Sequence, residues 1–152
     1  MAWEAYYAHR SDEKREEHEH AQALKLYTMV RAFPPGFSEG LVGLMAGKTE
    51  NVEIYIRFLE LDPYFFQSGY AKAYLIRYMK QLPFTTSQQR RLQDLILNVV
   101  KKGFRREFRS YCQLARYVQS DSWLLEVEAL LASWDPNIAL RSRWILAACR
   151  QR

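Results

Sequence analysis

The chain is predicted to be all-α, on three observations. Apolar residues recur at helical spacing along most of its 152 residues. Proline and glycine punctuate those runs at Pro34-Pro35-Gly36, Gly47, Asp62-Pro63, Pro83, Gly103 and Asp135-Pro136. No stretch alternates apolar and polar residues with β-branched enrichment between hairpin turns, as a half-buried strand would. The length suits one domain over residues 1–152. A domain of that size hides roughly 68–70% of its unfolded surface and needs no covalent staples.

Taken in order, Ser11 or Asp12 can cap a helix that runs to about Phe33, with acidic residues in its first turns and Leu24, Tyr27 and Val30 on its apolar side. Residues 1–10 offer one further turn, with Trp3 and Tyr7 spaced four apart. A short helix fits Ser38–Ala46, ended by Gly47, with Thr49 as the next cap. Together these make an N-terminal helical cap over residues 1–49. Asn51–Leu61 is apolar nearly all round, the mark of a buried helix, and Asp62-Pro63 enforces a turn because the proline ring blocks helical continuation.

A helix from about Tyr64 to Leu82 carries Tyr70, Tyr74 and Tyr78 at steps of four and stops at Pro83. Thr85, Thr86 or Ser87 starts the next, whose Leu92, Leu95, Ile96, Val99 and Val100 form one stripe, and Gly103 is expected to close it in the left-handed conformation. Phe104–Val118 places Phe104, Phe108, Tyr111, Cys112, Ala115 and Val118 on one side. Ser120 or Asp121 caps a helix through Ser133 with Trp123, Leu124, Val127, Leu130, Leu131 and Trp134 at helical spacing. The last helix opens on Pro136, a favoured first-turn position. The expectation is seven or eight helices, paired as hairpins over 50–82, 86–118 and 121–151 and stacked side by side. The turns at 62, 103 and 135 are 41 and 32 residues apart, within the range of helical-repeat lengths.

The block Arg105–Arg150, above all Leu124–Ala148, resembles a HEAT repeat: Leu130 and Leu131 close a leucine-rich helix, Asp135-Pro136 forms the turn, and Arg141, Ile145 and Leu146 follow. Trp144 and Ser142 stand where that family more often has small apolar residues. The resemblance implies a right-handed stack of antiparallel hairpins, an α-solenoid of the armadillo and HEAT type, used for binding and carrying no activity of its own.

The net charge of +5 is unevenly spread. Residues 1–62 carry 7 basic and 11 acidic side chains, residues 63–152 carry 15 and 6, and within 72–116 eleven basic residues face only Asp94 and Glu107. Such a field attracts nucleic acid, anionic lipid or an acidic protein. Lys101, Lys102, Arg105, Arg106 and Arg109 straddle the Gly103 turn, with Arg90 and Arg91 on the same hairpin. Arginine's planar, bidentate donors suit phosphate or carboxylate. The plainer reading of these residues is a solvated helix face with some pairing to Glu107. Tyr70 and Tyr74, beside Tyr64, Phe65, Phe66 and Tyr78, suit a protein hot spot or stacked bases; the plainer reading is core with hydroxyls at its rim.

No catalytic or metal constellation is visible. Gly43–Thr49 has the wrong spacing for a phosphate loop and no strand before it. His18 and His20 in EEHEH diverge by about 200° on a helix and cannot easily share an ion. His9 completes the histidines, far from any nucleophile pairing. Cys112 and Cys149 show no CxxC spacing and are expected to be buried thiols. No signal architecture or membrane-length apolar run is seen, so a cytoplasmic setting is expected. The expected function is a non-enzymatic adaptor without cofactor, binding a protein partner through the basic, aromatic-flanked surface. A nucleic-acid-binding HEAT-like protein and a bacterial toxin-neutralising or regulatory partner are the alternatives.

Overall fold

A computed structural model describes residues 33–64 and 68–151. The chain divides into two compact units, Met1–Pro35 and Gly36–Arg152, and every helix among the described residues lies in the second. The expected helix over 12–33, the Trp3 and Tyr7 pair, the three histidines, and Phe65 and Phe66 lie outside the described residues.

Among the described residues there are seven α-helices and no strand: α1 Phe37–Met45, α2 Val52–Leu61, α3 Ser68–Met79, α4 Thr86–Lys102, α5 Phe108–Val118, α6 Asp121–Ala129 and α7 Pro136–Arg150, with a 3-10 turn at Leu130–Ala132. Each odd-numbered helix packs on the next odd-numbered one, α1 on α3, α3 on α5 and α5 on α7; α2 packs on α4, and α7 also meets α4 and α6. The core runs through these contacts as Tyr55, Ile56, Leu59, Leu75, Ile76, Met79, Leu92, Ile96, Val100, Tyr111, Leu114, Trp123, Val127 and Ile145, all buried.

The helix starts follow from side-chain chemistry. Thr85 Oγ1 accepts the Gln88 amide at 3.2 Å while the Thr85 amide donates to Gln88 Oε1 at 3.1 Å, a reciprocal cap that satisfies two otherwise unpaired donors. Ser120 Oγ accepts from the Trp123 amide, and Asp135 Oδ1 from the Asn137 amide at 2.8 Å, with Pro136 in the first turn of α7. Gln93, buried in α4, donates through its side chain to the Val118 carbonyl at 2.6 Å and to Ser120 Oγ at 3.1 Å, and its backbone carbonyl accepts from Trp123 Nε1 at 3.2 Å. One glutamine thereby ties α4 to the junction of α5 and α6.

Several boundaries differ from the sequence expectation. Asn51, not Thr49, stands at the start of α2, because the Thr49 carbonyl is spent on a turn to the Val52 amide. Gly103 has φ 137° and ψ 176°, a glycine-only conformation that is not the left-handed helical one expected, and α5 begins at Phe108 instead of Phe104. Helix α6 stops at Ala129 and tightens into the 3-10 turn, which throws Trp134 out of the apolar stripe; it is 95% exposed. Of that stripe, only Trp123 and Val127 are fully buried.

Candidate binding surface around the Gly103 loop

The loop from Gly103 to Glu107 is anchored inward by charge. Asp62, at the end of α2, adopts the left-handed conformation with φ 49° and ψ 50°, which aspartate tolerates better than most residues. Its Oδ1 accepts from Lys72 Nζ at 2.7 Å and also from Arg105 Nη1. Lys72 lies 3.8 Å from Glu107 Oε1 as well. Lys72 and Glu107 are buried, and two cations meet two carboxylates, so the cluster is neutral within itself. Burial alone would push the Asp62 carboxyl up, but the hydrogen bonds from Arg105 and Lys72 together outweigh it and hold the carboxyl below its ordinary value. The Tyr111 hydroxyl, beneath this cluster, is the one buried side-chain polar atom among the described residues without a hydrogen-bond partner. Burial, with the negative charge of Asp62 and Glu107, pushes its pKa up, so it is a neutral phenol.

The same loop turns an aromatic residue outward. Phe104 is 68% exposed and is walled by Phe108, 6.4 Å away between ring centroids, and by Trp144 of α7, 5.6 Å away. The Phe104 and Trp144 planes cross at 78°. These rings and Cys112 line a groove of about 260 Å³ rimmed by Arg105, Arg106 and Arg109. On its other side Phe104 walls a second groove of about 320 Å³ with Lys101, Lys102, Asp135 and Arg141. A third hollow, bordered by Tyr64, Tyr70 and Arg106, also reaches Phe104.

The candidate residues named from the sequence do not all meet at this surface. Arg90 is paired with Glu126 at 2.7 Å and with Asp94 at 2.9 Å, and Arg91 with Glu60 at 2.7 Å and with Glu53. Arg105 is spent on Asp62, not on Glu107. Arg106 stacks over the Tyr70 ring at 4.4 Å, so that ring face is covered. Tyr74 meets Tyr78 edge to face at 4.9 Å and its hydroxyl donates to Met45 Sδ at 3.3 Å. Lys101, Lys102 and Arg109 are exposed and make no ion pair among the described residues. Arg106 makes no ion pair there either, so the positive charge left without a carboxylate among the candidate residues is that of Lys101, Lys102, Arg106 and Arg109, around Phe104.

Sequence reasoning missed the roles of Phe104, Trp144, Lys72 and Arg141. A helix resuming at Phe104, directly after a Gly103 cap, would put that ring on a buried face, whereas the observed loop runs to Glu107. Trp144 carried a signal in its departure from the small apolar residue usual at that place in a HEAT repeat. Lys72 gave no signal, since only the fold brings it to Asp62.

The two cysteines are not activated. Burial pushes the Cys112 thiol up to about 12 and the Cys149 thiol up to about 11, which leaves both protonated at neutral pH. Among the described residues no three His, Cys, Asp or Glu side chains are grouped to hold a metal ion, and no helix is long and apolar enough to cross a membrane. No family model, no curated protein and no solved structure matches the chain.

Proposed function

We propose that the chain is a non-enzymatic binding protein, a HEAT-like stack of helical hairpins that recognises an acidic segment of another protein through the surface centred on Phe104. The alternating packing of odd-numbered helices supports the stack, since successive hairpins laid side by side bring every second helix into contact. The observation that carries the binding reading is the exposed Phe104, which walls three adjoining hollows and is flanked by the unpaired Arg109, Lys101 and Lys102. An apolar anchor ringed by cations is the complement of a partner's bulky side chain flanked by carboxylates.

Protein is favoured over nucleic acid by ring geometry. Successive bases stack on flat, parallel aromatic faces. Phe104 and Trp144 instead cross at 78°, forming a notch that suits one side chain, and the Tyr70 face is taken by Arg106.

Affinity capture on the full chain from native lysate, with and without nuclease, tests this reading. A bound protein should survive nuclease, be released by salt, and be lost with Phe104→Ala and with Arg109→Glu. Both side chains are exposed, so neither substitution threatens the fold. Capture that nuclease abolishes, or that ignores both substitutions, would reject the assignment.

A further inference from the structure

Arg141 is one of two buried cations among the described residues, with Lys72. It is 5% exposed, and its Nε donates to the Val100 carbonyl at 2.6 Å near the end of α4. No carboxylate among the described residues pairs with it, and neither Nη group has a hydrogen-bond partner there. The Nη groups are not among the fully buried unpaired atoms, so they keep access to solvent while most of the side chain is enclosed without a counter-charge; the other buried cation among the described residues, Lys72, has two carboxylates beside it.

Arg141 lines the groove that Lys101, Lys102, Phe104 and Asp135 also line. Lys102 additionally borders the hollow containing Glu60 and Asp94, but those two acids are already paired with Arg91 and Arg90. Asp135, the groove's one carboxylate, accepts from the Asn137 amide. The partial charges of the two helix ends, about half a unit negative where α4 closes and about half a unit positive where α7 opens, cancel. Three cations against one carboxylate leave two positive charges on a concavity of about 320 Å³.

We propose that this groove binds a phosphate monoester dianion, with the free edge of Arg141 and the ammonium groups of Lys101 and Lys102 as its donors. A phosphate monoester carries about −1.5 to −2 at neutral pH, which matches the excess. A carboxylate or a phosphodiester carries one charge and leaves half of it unbalanced. The planar guanidinium supplies parallel donors for two oxygens, and the lysines act as point charges at the rim. The groove shares Phe104, Lys101 and Lys102 with the proposed partner surface, but its first probe is phosphate alone and its deepest donor, Arg141, is not part of that surface.

The test is a titration of the isotope-labelled full chain with sodium phosphate, set against sodium chloride and sodium acetate at equal ionic strength, followed by amide and arginine Nε resonances. Saturable shifts at Lys101 to Phe104 and at Arg141 Nε, with phosphate alone, are expected. The exposed double substitution Lys101→Ala/Lys102→Ala should weaken phosphate by about tenfold or more with the fold intact, as two charge-assisted contacts are lost. Arg141→Lys, which keeps the charge but not the fork, should weaken it further. A phosphoserine peptide bound at least about tenfold tighter than inorganic phosphate would place the group on a protein, and equal binding would place it on a small phosphorylated compound; both uphold the site. Shifts that match chloride, a double variant that binds phosphate unchanged, or a thymidine oligonucleotide preferred over every monoester would overturn it. Capture of a protein partner is decided separately, by Phe104→Ala and Arg109→Glu, neither of which removes a proposed phosphate donor.

Discussion

Lys72 Nζ lies 2.7 Å from Asp62 Oδ1 with the lysine only 2% exposed, and the same oxygen accepts from Arg105 in the loop that carries Phe104. Asp62 is the acceptor for both Lys72 and Arg105, so its charge joins the end of α2 to α3 and to the loop before α5. Asp62→Asn leaves Lys72 with Glu107 alone across 3.8 Å and removes the carboxylate from Arg105. Breaking a buried pair costs about 3–5 kcal/mol, and partial exposure of Arg105 puts the expected loss near 3 kcal/mol. Urea unfolding of the two proteins at neutral pH measures it. Because the Asp62 carboxyl is held below its ordinary value in the folded state, its contribution is complete above the unfolded value of about 4 and is lost as pH falls through the lower folded value. The gap between Asp62→Asn and the parent should therefore close only in strong acid.

The two thiols should be inert while the chain is folded. Burial raises Cys112 to about 12 and Cys149 to about 11, so the thiolate fraction at neutral pH is far below that of an exposed cysteine. The thiolate is the attacking species. Iodoacetamide at neutral pH is expected to modify neither residue appreciably until denaturant is added, when both should react at the rate of a free thiol. Mass spectrometry of timed samples reads this directly.

Arg90 and Arg91 drew notice in the sequence beside Arg105 and Arg109, yet they should contribute little to stability or to partner binding. Their partners Asp94, Glu126, Glu53 and Glu60 lie on the surface. Exposed pairs are worth about 0.2–1 kcal/mol and are screened by salt. Arg90→Ala and Arg91→Ala should each lower the unfolding free energy by less than about 1 kcal/mol. Most of that difference should vanish in molar salt, and capture of a partner should be unchanged. Chemical unfolding at low and high salt, run beside the capture assay, checks both halves.

What the sequence made legible was local. The stripe Leu92, Leu95, Ile96, Val99 and Val100 is buried as its spacing requires, and Thr85 and Ser120, each among the residues offered as a start, cap α4 and α6, while Asp135, expected only as a turn residue, caps α7. Periodicity and capping act over a few residues, so a window of sequence contains them whole. The charge clusters were not legible, because Asp62 and Arg105 are 43 positions apart and Arg91 and Glu60 are 31 apart. Counting cations along the chain registers an excess, but only packing decides which are neutralised from the neighbouring helix. Arg141 shows the same limit from the other side: its helical position suggested a repeat-like basic residue, and its missing counter-charge appears only when the end of α4 is placed beside it.

Gly103 is the position where the smallest change should disturb the binding surface most. Its φ of 137° with ψ of 176° belongs to a region that residues with a Cβ essentially do not enter, although nothing lies within 4 Å of where that atom would stand. The penalty of Gly103→Ala is thus conformational and not steric, about 1–3 kcal/mol. Arg105, held by Asp62, and Phe108, buried in α5, restrain the far end of the loop, so the relaxation falls on Phe104 between them. The variant should fold with a lower unfolding midpoint, and the ring-current shifts between Phe104 and Trp144 should collapse as their 5.6 Å contact opens. Proton spectra of the Trp144 indole, taken with the unfolding curve, separate that loss of the notch from a general loss of structure, which would shift Trp123 in the core as well.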